Sequence, residues 1–245
     1  MGEKMTKYYH FTSYSNLENI NEIGLIPQNG DRCKAINDKK CAIFLSQDIA
    51  GAIRMYCVIR WHFNQYQGNK GLYAIQDLRD RIRHYGAGMK KYDGSTEFFS
   101  ENIKRALDEI ECIKHMLQYA SFNEFIGEGC YLSISNIRNV DKVRPEDCIV
   151  YKTINPSKIS VVTLRNKDTG ETIDSIEPVM SYFMSTIPLE KLVSNLTNVI
   201  EQKQIMQLYY ERWQDIHKTY SHEHYTLEEV PLSEYLKHKH QKSLK

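Results

Sequence analysis

Tyr8-Tyr9-His10-Phe11-Thr12-Ser13, the segment Tyr14 to Ile23, Gly24-Leu25-Ile26-Pro27 and, after a polar loop, Cys41-Ala42-Ile43-Phe44-Leu45-Ser46 form the stretch on which the fold turns. Aromatic and β-branched residues cluster at its two ends, a short amphipathic pattern lies between them, and glycine closes that pattern. The order read from it is strand, helix, glycine turn, loop, strand. A histidine on the first strand and a serine on the second are expected to be brought together by the intervening helix and loop, an arrangement suited to a small polar ligand.

Working outward, Ser46-Gln47-Asp48 supplies caps for a helix over 49–64, because a side-chain oxygen there accepts from amides of the first turn. A polar break over 65–73 precedes a second helix over 75–85, with Gly86 and Gly88 predicted as its stop and 89–96 as loop. Apolar residues recur at helical spacing through Ile103, Leu107, Ile110, Ile113 and Leu117, which predicts a long amphipathic helix over 98–119. Strands follow over 130–134, 148–151 and 159–164, and Asp168-Thr169-Gly170-Glu171-Thr172 has hairpin-turn chemistry that pairs the last of them with residues near Ile173. Beyond Pro178 the pattern turns helical, with an apolar stripe over 189–218 read as packing. The prediction is one α+β domain over 1–176, helical between about 49 and 120, and a helical extension over 177–245.

The chain has 245 residues, 41% hydrophobic and 26% charged, the balance of a globular protein with a substantial core. No apolar run approaches the ~18 residues of a membrane span, and Met1 to Thr6 lacks the basic-then-apolar pattern of an export signal, so no membrane association and a cytoplasmic location are expected. The six cysteines show no Cys-x-x-Cys pair and no histidine at zinc spacing, which predicts buried free thiols and no structural metal. With a net charge of +1 the molecule as a whole sets up no strong field for a polyanion. Locally, the cations of Arg54 to Lys91 interleave with Tyr56, Trp61, Phe63, Tyr66, Tyr73 and Tyr85, as backbone tracking and base stacking require; the competing reading is a solvated helix face.

The opening stretch resembles the His-Tyr-Glu side of the ADP-ribosyltransferase superfamily, which includes DNA- and RNA-modifying transferases and the NAD-dependent RNA 2'-phosphotransferases. The resemblance rests on Tyr9-His10-Phe11-Thr12 and on Ile23-Gly24-Leu25, and it covers about the first fifth of the chain. It implies a split β-sheet core with inserted helices, with NAD as substrate. His10 would grip NAD beside Phe11 and Thr12, and Gly24 and Leu25 would lead into the NAD-binding loop. Arg32 of that loop would pair with a phosphate, Ser46 would also contact NAD, and Tyr56, on the helix after Ser46, would correspond to the tyrosine that stacks on nicotinamide. The second strand lacks a Ser-Thr-Ser triplet, having only Phe44-Leu45-Ser46, which argues against the arginine-modifying toxins.

Such a transfer also needs a carboxylate, since breaking the nicotinamide–ribose bond develops oxocarbenium charge that an acid stabilises. Glu146, in Arg144-Pro145-Glu146-Asp147-Cys148, is the first choice; Asp147 is the fallback, because one residue of register decides which of the two faces the cleft. Glu128, between Gly127 and Gly129, competes with both. For each acid the alternative is a solvated carboxylate at a strand end, and for His10 a core histidine bonded to backbone. The expectation is an NAD-dependent ADP-ribosyltransferase acting on DNA, RNA or protein, a toxin or antiphage effector with an antitoxin as partner. An RNA 2'-phosphotransferase and a non-catalytic nucleic-acid-binding module are the alternatives.

Overall fold

A computed structural model describes residues 6–28, 41–91, 96–138, 140–142, 147–185, 203, 207 and 216–243. It separates into a sheet unit (residues 1–28, 42–59 and 126–245) and a helical unit (29–41 and 60–125). In chain order the described elements are β1 (Lys7–Ser13), α1 (Leu17–Ile23), β2 (Ile43–Ser46), α2 (Ile49–Tyr66), α3 (Asn69–Lys91), α4 (Thr96–Met116), α5 (Phe122–Ile126), β3 (Gly129–Ser135), β4 (Asp141–Lys142), β5 (Asp147–Val150), β6 (Ile159–Asn166), β7 (Thr172–Ile173), α6 (Ile176–Met184), α7 (Ile216–Thr219), β8 (Tyr225–Pro231) and α8 (Leu232–Ser243).

The strands form one antiparallel sheet in the order β4-β5-β2-β1-β3-β6-β7, with β8 also paired to β6. Alternation along each strand gives the sheet two faces. One carries Tyr8, Ile43, Leu45, Cys130, Leu132, Ile134, Cys148 and Val150, packed with Leu17 and Ile20 of α1 and Leu232 and Leu236 of α8. The other carries Phe11, Tyr131 and Val162; α6, with Val179 and Met180 fully buried, packs on β3 and β6. At ~2 kcal/mol per fully buried large apolar side chain, these two layers are the main source of the fold's stability.

The predicted local chemistry appears at several joints. Asp48 caps α2, its Oδ1 accepting from the Gly51 amide at 2.7 Å. The hairpin turn forms where Asn166 Oδ1 accepts from the amides of Asp168 and Thr169, with Gly170 at φ 71° and Leu164 opposite Ile173. Gly24 ends α1 at φ 83° and ψ −178°, a conformation essentially reserved for glycine, and a Cβ there would lie 2.2 Å from the Ile154 carbonyl oxygen.

In the helical unit, Ile75 and Leu78 of α3 pack against Ala106, Ile110 and Ile113 of α4. The structure corrects the sequence reading here: α3 begins at Asn69 and runs through Gly86 and Gly88 to Lys91. Gly88 is no stop. A Cβ at this position would lie 2.7 Å from the ring of Phe99, so the glycine admits that ring, and the seam of packed side chains repays the propensity penalty of two helical glycines. A second correction concerns the segment after 177, predicted as wholly helical. Residues Tyr225–Pro231 form β8, paired with β6 from Ser160 to Asn166, so this part of the extension completes the sheet. Apart from residues 203, 207 and 216–218, the apolar stripe of 189–218 lies outside the described residues.

Candidate functional site

The strand pair that carries the opening motif is the narrowest joint of the sheet. β1 is paired with β3 along all seven of its residues, from Lys7 opposite Ser135 to Ser13 opposite Gly129, whereas its register with β2 is the single pair Tyr9 and Ser46. Beyond that pair His10 spans the seam: its Nδ1 lies 3.0 Å from the backbone carbonyl oxygen of Phe44. A carbonyl only accepts, so Nδ1 carries the hydrogen and Nε2 is the acceptor nitrogen of the neutral ring. This backbone bond also satisfies the reading of His10 as a histidine built into the sheet.

The pleat separates the predicted pair. His10 stands opposite Leu132, on the face of Tyr8 and Thr12, whereas Ser46 stands opposite Tyr9 on the other face. The sequence expectation that His10 and Ser46 converge is thereby corrected: strand alternation places them on opposite sides.

On the Tyr9 face the registers align a transverse row of polar residues: Ser46 of β2 opposite Tyr9, Tyr9 opposite Ser133 of β3, and Ser133 opposite Ser160 of β6. Burial, and then the nearby carboxylates of Glu229 and Asp48, raise the Tyr9 phenol above its ordinary range. Two residues along β1 on the same face, the Phe11 ring meets Tyr131 and Tyr56 edge-on, each at 6.4 Å between centroids. Ser46, Ser133, Tyr56 and Tyr131 on this face are buried, so the fold itself covers much of the row. Tyr9, Ser133 and Ser160 were not singled out in the sequence, since only the registers of four strands bring them into line.

The remaining predicted residues are placed as follows. Phe11 and His10 are half-buried, while Thr12, Ser46 and Tyr56 are buried, at 6%, 7% and 5% exposure. Thr12 Oγ1 accepts from Asn16 Nδ2 at 3.4 Å, which uses it locally in the turn into α1. Leu25 is buried in the core, and both its backbone groups bond Ile154, so the turn expected to lead into the NAD-binding loop is tied into the fold. Arg32 and Glu146 lie outside the described residues. Glu128 is exposed at the far end of β1, its carbonyl accepting from the Tyr14 amide at 3.0 Å and from Ser13 Oγ at 3.1 Å.

A second cluster lies at the α8 end of the sheet unit. Asp174 accepts from Tyr14 Oη at 2.8 Å through Oδ1, and from Tyr235 Oη through Oδ2. The Lys239 ammonium stands 4.1 Å from the centroid of the Tyr14 ring. Burial, then the Asp174 charge, push the Cys130 thiol up to about 12, which makes it a poor nucleophile at neutral pH. Among the described residues no group of histidine, cysteine, aspartate and glutamate side chains could hold a metal ion, and no helix is long and apolar enough to cross a membrane. Comparison with family models, with curated proteins and with solved structures finds no match.

Proposed function

We propose that this protein is an NAD-dependent ADP-ribosyltransferase whose acceptor is a nucleic acid. The observation that carries the reading is the histidine built into the β1/β2 seam, its ring held on the Phe44 carbonyl, with the start of β5 in register across β2. A ring nitrogen held by a backbone carbonyl has a defined tautomer, and Nε2 then suits acceptance from a ribose hydroxyl.

In the proposed reaction the bond between ribose C1' and the nicotinamide nitrogen breaks, and nicotinamide leaves with the bonding pair. An oxygen or nitrogen of the acceptor attacks C1' and gives its proton to the carboxylate or to water. An acid close to β5 in sequence, Glu146 or its neighbour Asp147, supplies in this proposal the negative charge that stabilises the oxocarbenium-like state. NAD is the substrate, and no metal takes part in the proposal.

The test is release of nicotinamide from NAD by the purified chain, with and without single-stranded DNA, double-stranded DNA or RNA. His10→Ala and Glu146→Ala are expected to lower the rate roughly a hundredfold or more while remaining folded, as judged by circular dichroism. Wild-type rates in both variants would overturn the site. Absence of release with every acceptor would favour the second reading, a non-catalytic nucleic-acid-binding module; the burial of Thr12, Leu25, Ser46 and Tyr56 is the observation on its side.

A further inference from the structure

Charge is segregated between the two long helices of the helical unit. α3 carries six Lys and Arg against two Asp, whereas α4 carries three Lys and Arg against five Asp and Glu. Their buried seam is apolar and needs no such bias. At 3.6 residues per turn, Arg79, Arg83 and Lys90 fall within roughly 40° of arc on one exposed stripe of α3, about a quarter turn from the seam. At 1.5 Å per residue the stripe is about 16 Å long, and it bears no acidic residue.

Arg79 and Lys90 make no ion pair or hydrogen bond among the described residues. Arg83 holds Asp80 at 2.9 Å, but both side chains are more than half exposed, and such a surface pair contributes little that a phosphate would not replace. On the same arc, N-terminal to the three cations, Leu72 is 59% exposed.

We infer that this stripe binds the phosphodiester backbone of a single-stranded nucleic acid. A row of three cations over about 16 Å exceeds what one nucleotide or one free phosphate presents and matches a polymer with repeated charges. An anionic membrane fits less well, because the apolar face a surface helix would insert is already spent on α4. The inference rests on the nucleic-acid part of the proposed function and assigns that partner a docking surface on α3.

The experiment is fluorescence anisotropy of the full chain, without NAD, on labelled 20-nucleotide single-stranded RNA and DNA over a salt series. Arg79→Glu/Arg83→Glu/Lys90→Glu is compared with reversal of the three basic residues of α4, Lys104, Arg105 and Lys114, which changes net charge equally. The α3 triple is expected to lose at least tenfold in affinity, and its log–log salt slope to fall by about 2, since each phosphate contact on a single strand contributes about 0.7. The α4 triple is expected to stay within about threefold of the parent. The alanine triple at the same α3 positions, which keeps helix propensity, is expected to lose affinity in the same direction.

Equal weakening by both reversals, no binding by the parent chain, or tighter binding to phosphatidylserine vesicles than to either oligonucleotide would overturn the proposal. Nicotinamide release is read separately. Loss of binding with retained NAD cleavage in water therefore separates failure of the α3 stripe from failure of the transferase reading.

Discussion

Removing the Asp174 carboxylate tests how the C-terminal helix is held to the sheet. Two tyrosine hydroxyls from opposite ends of the chain donate to it, Tyr14 and Tyr235, and the second belongs to α8. A hydrogen bond to a charged group contributes ~1.5–3 kcal/mol, and water replaces part of that at half-buried positions, so Asp174→Ala is expected to cost about 2–4 kcal/mol. For a chain of this size the midpoint of thermal unfolding shifts by roughly 2–4 °C per kcal/mol, which gives a fall of about 5–15 °C in circular dichroism. Asp174→Asn keeps one acceptor oxygen and is expected to lose about half as much. In a double-mutant cycle Tyr235→Phe and Asp174→Ala are expected to couple by about 1 kcal/mol or more, because each removes the same bond. A melting point within about 2 °C of the parent for Asp174→Ala, together with no coupling, would refute the view that this clasp anchors α8.

Alkaline pH probes the same cluster. Burial raises both phenols above the ordinary value of 10.0; for Tyr14 the Asp174 charge comes next, and for Tyr235 the hydrogen bond to Asp174. A raised folded-state value means the folded chain holds protons the unfolded chain has lost. Stability is therefore whole below pH 10 and declines above it, and urea titrations of Tyr14→Phe are expected to show a shallower alkaline decline than the parent. Gly24→Ala is expected to destabilise by at least about 2–3 kcal/mol, because it forces a side chain into a glycine-only conformation and against the Ile154 carbonyl oxygen; an unchanged denaturation midpoint would contradict that. Thr163 Oγ1 is buried and makes no hydrogen bond among the described residues, so Thr163→Val is expected to stabilise by about 1 kcal/mol, seen as a melting point about 2–4 °C higher.

The sequence by itself determined most of the local elements between β1 and β7, though not the short α5 and β4, because alternation, capping residues and turn glycines act over a few residues. Asp48 caps α2 and Gly170 turns the β6/β7 hairpin for reasons visible within five positions of each. It misjudged α3 at Gly86 and Gly88, where helix propensity pointed to a stop and the packed seam with α4 outweighed it. Strand β8 went unread because its acids, Glu228 and Glu229, mask the alternation, and its pairing partner β6 lies some sixty residues earlier in the chain.

The site divides in the same way. His10 was legible as a polar residue within an aromatic strand, but its bond to Phe44 depends on the seam between β1 and β2. Which side of the sheet each residue serves was decided only by tertiary structure, since side-chain direction flips with every residue of register. That registration separates His10 from Ser46 and lines Ser46 up with Tyr9, Ser133 and Ser160, residues on strands that meet only once the whole sheet has formed.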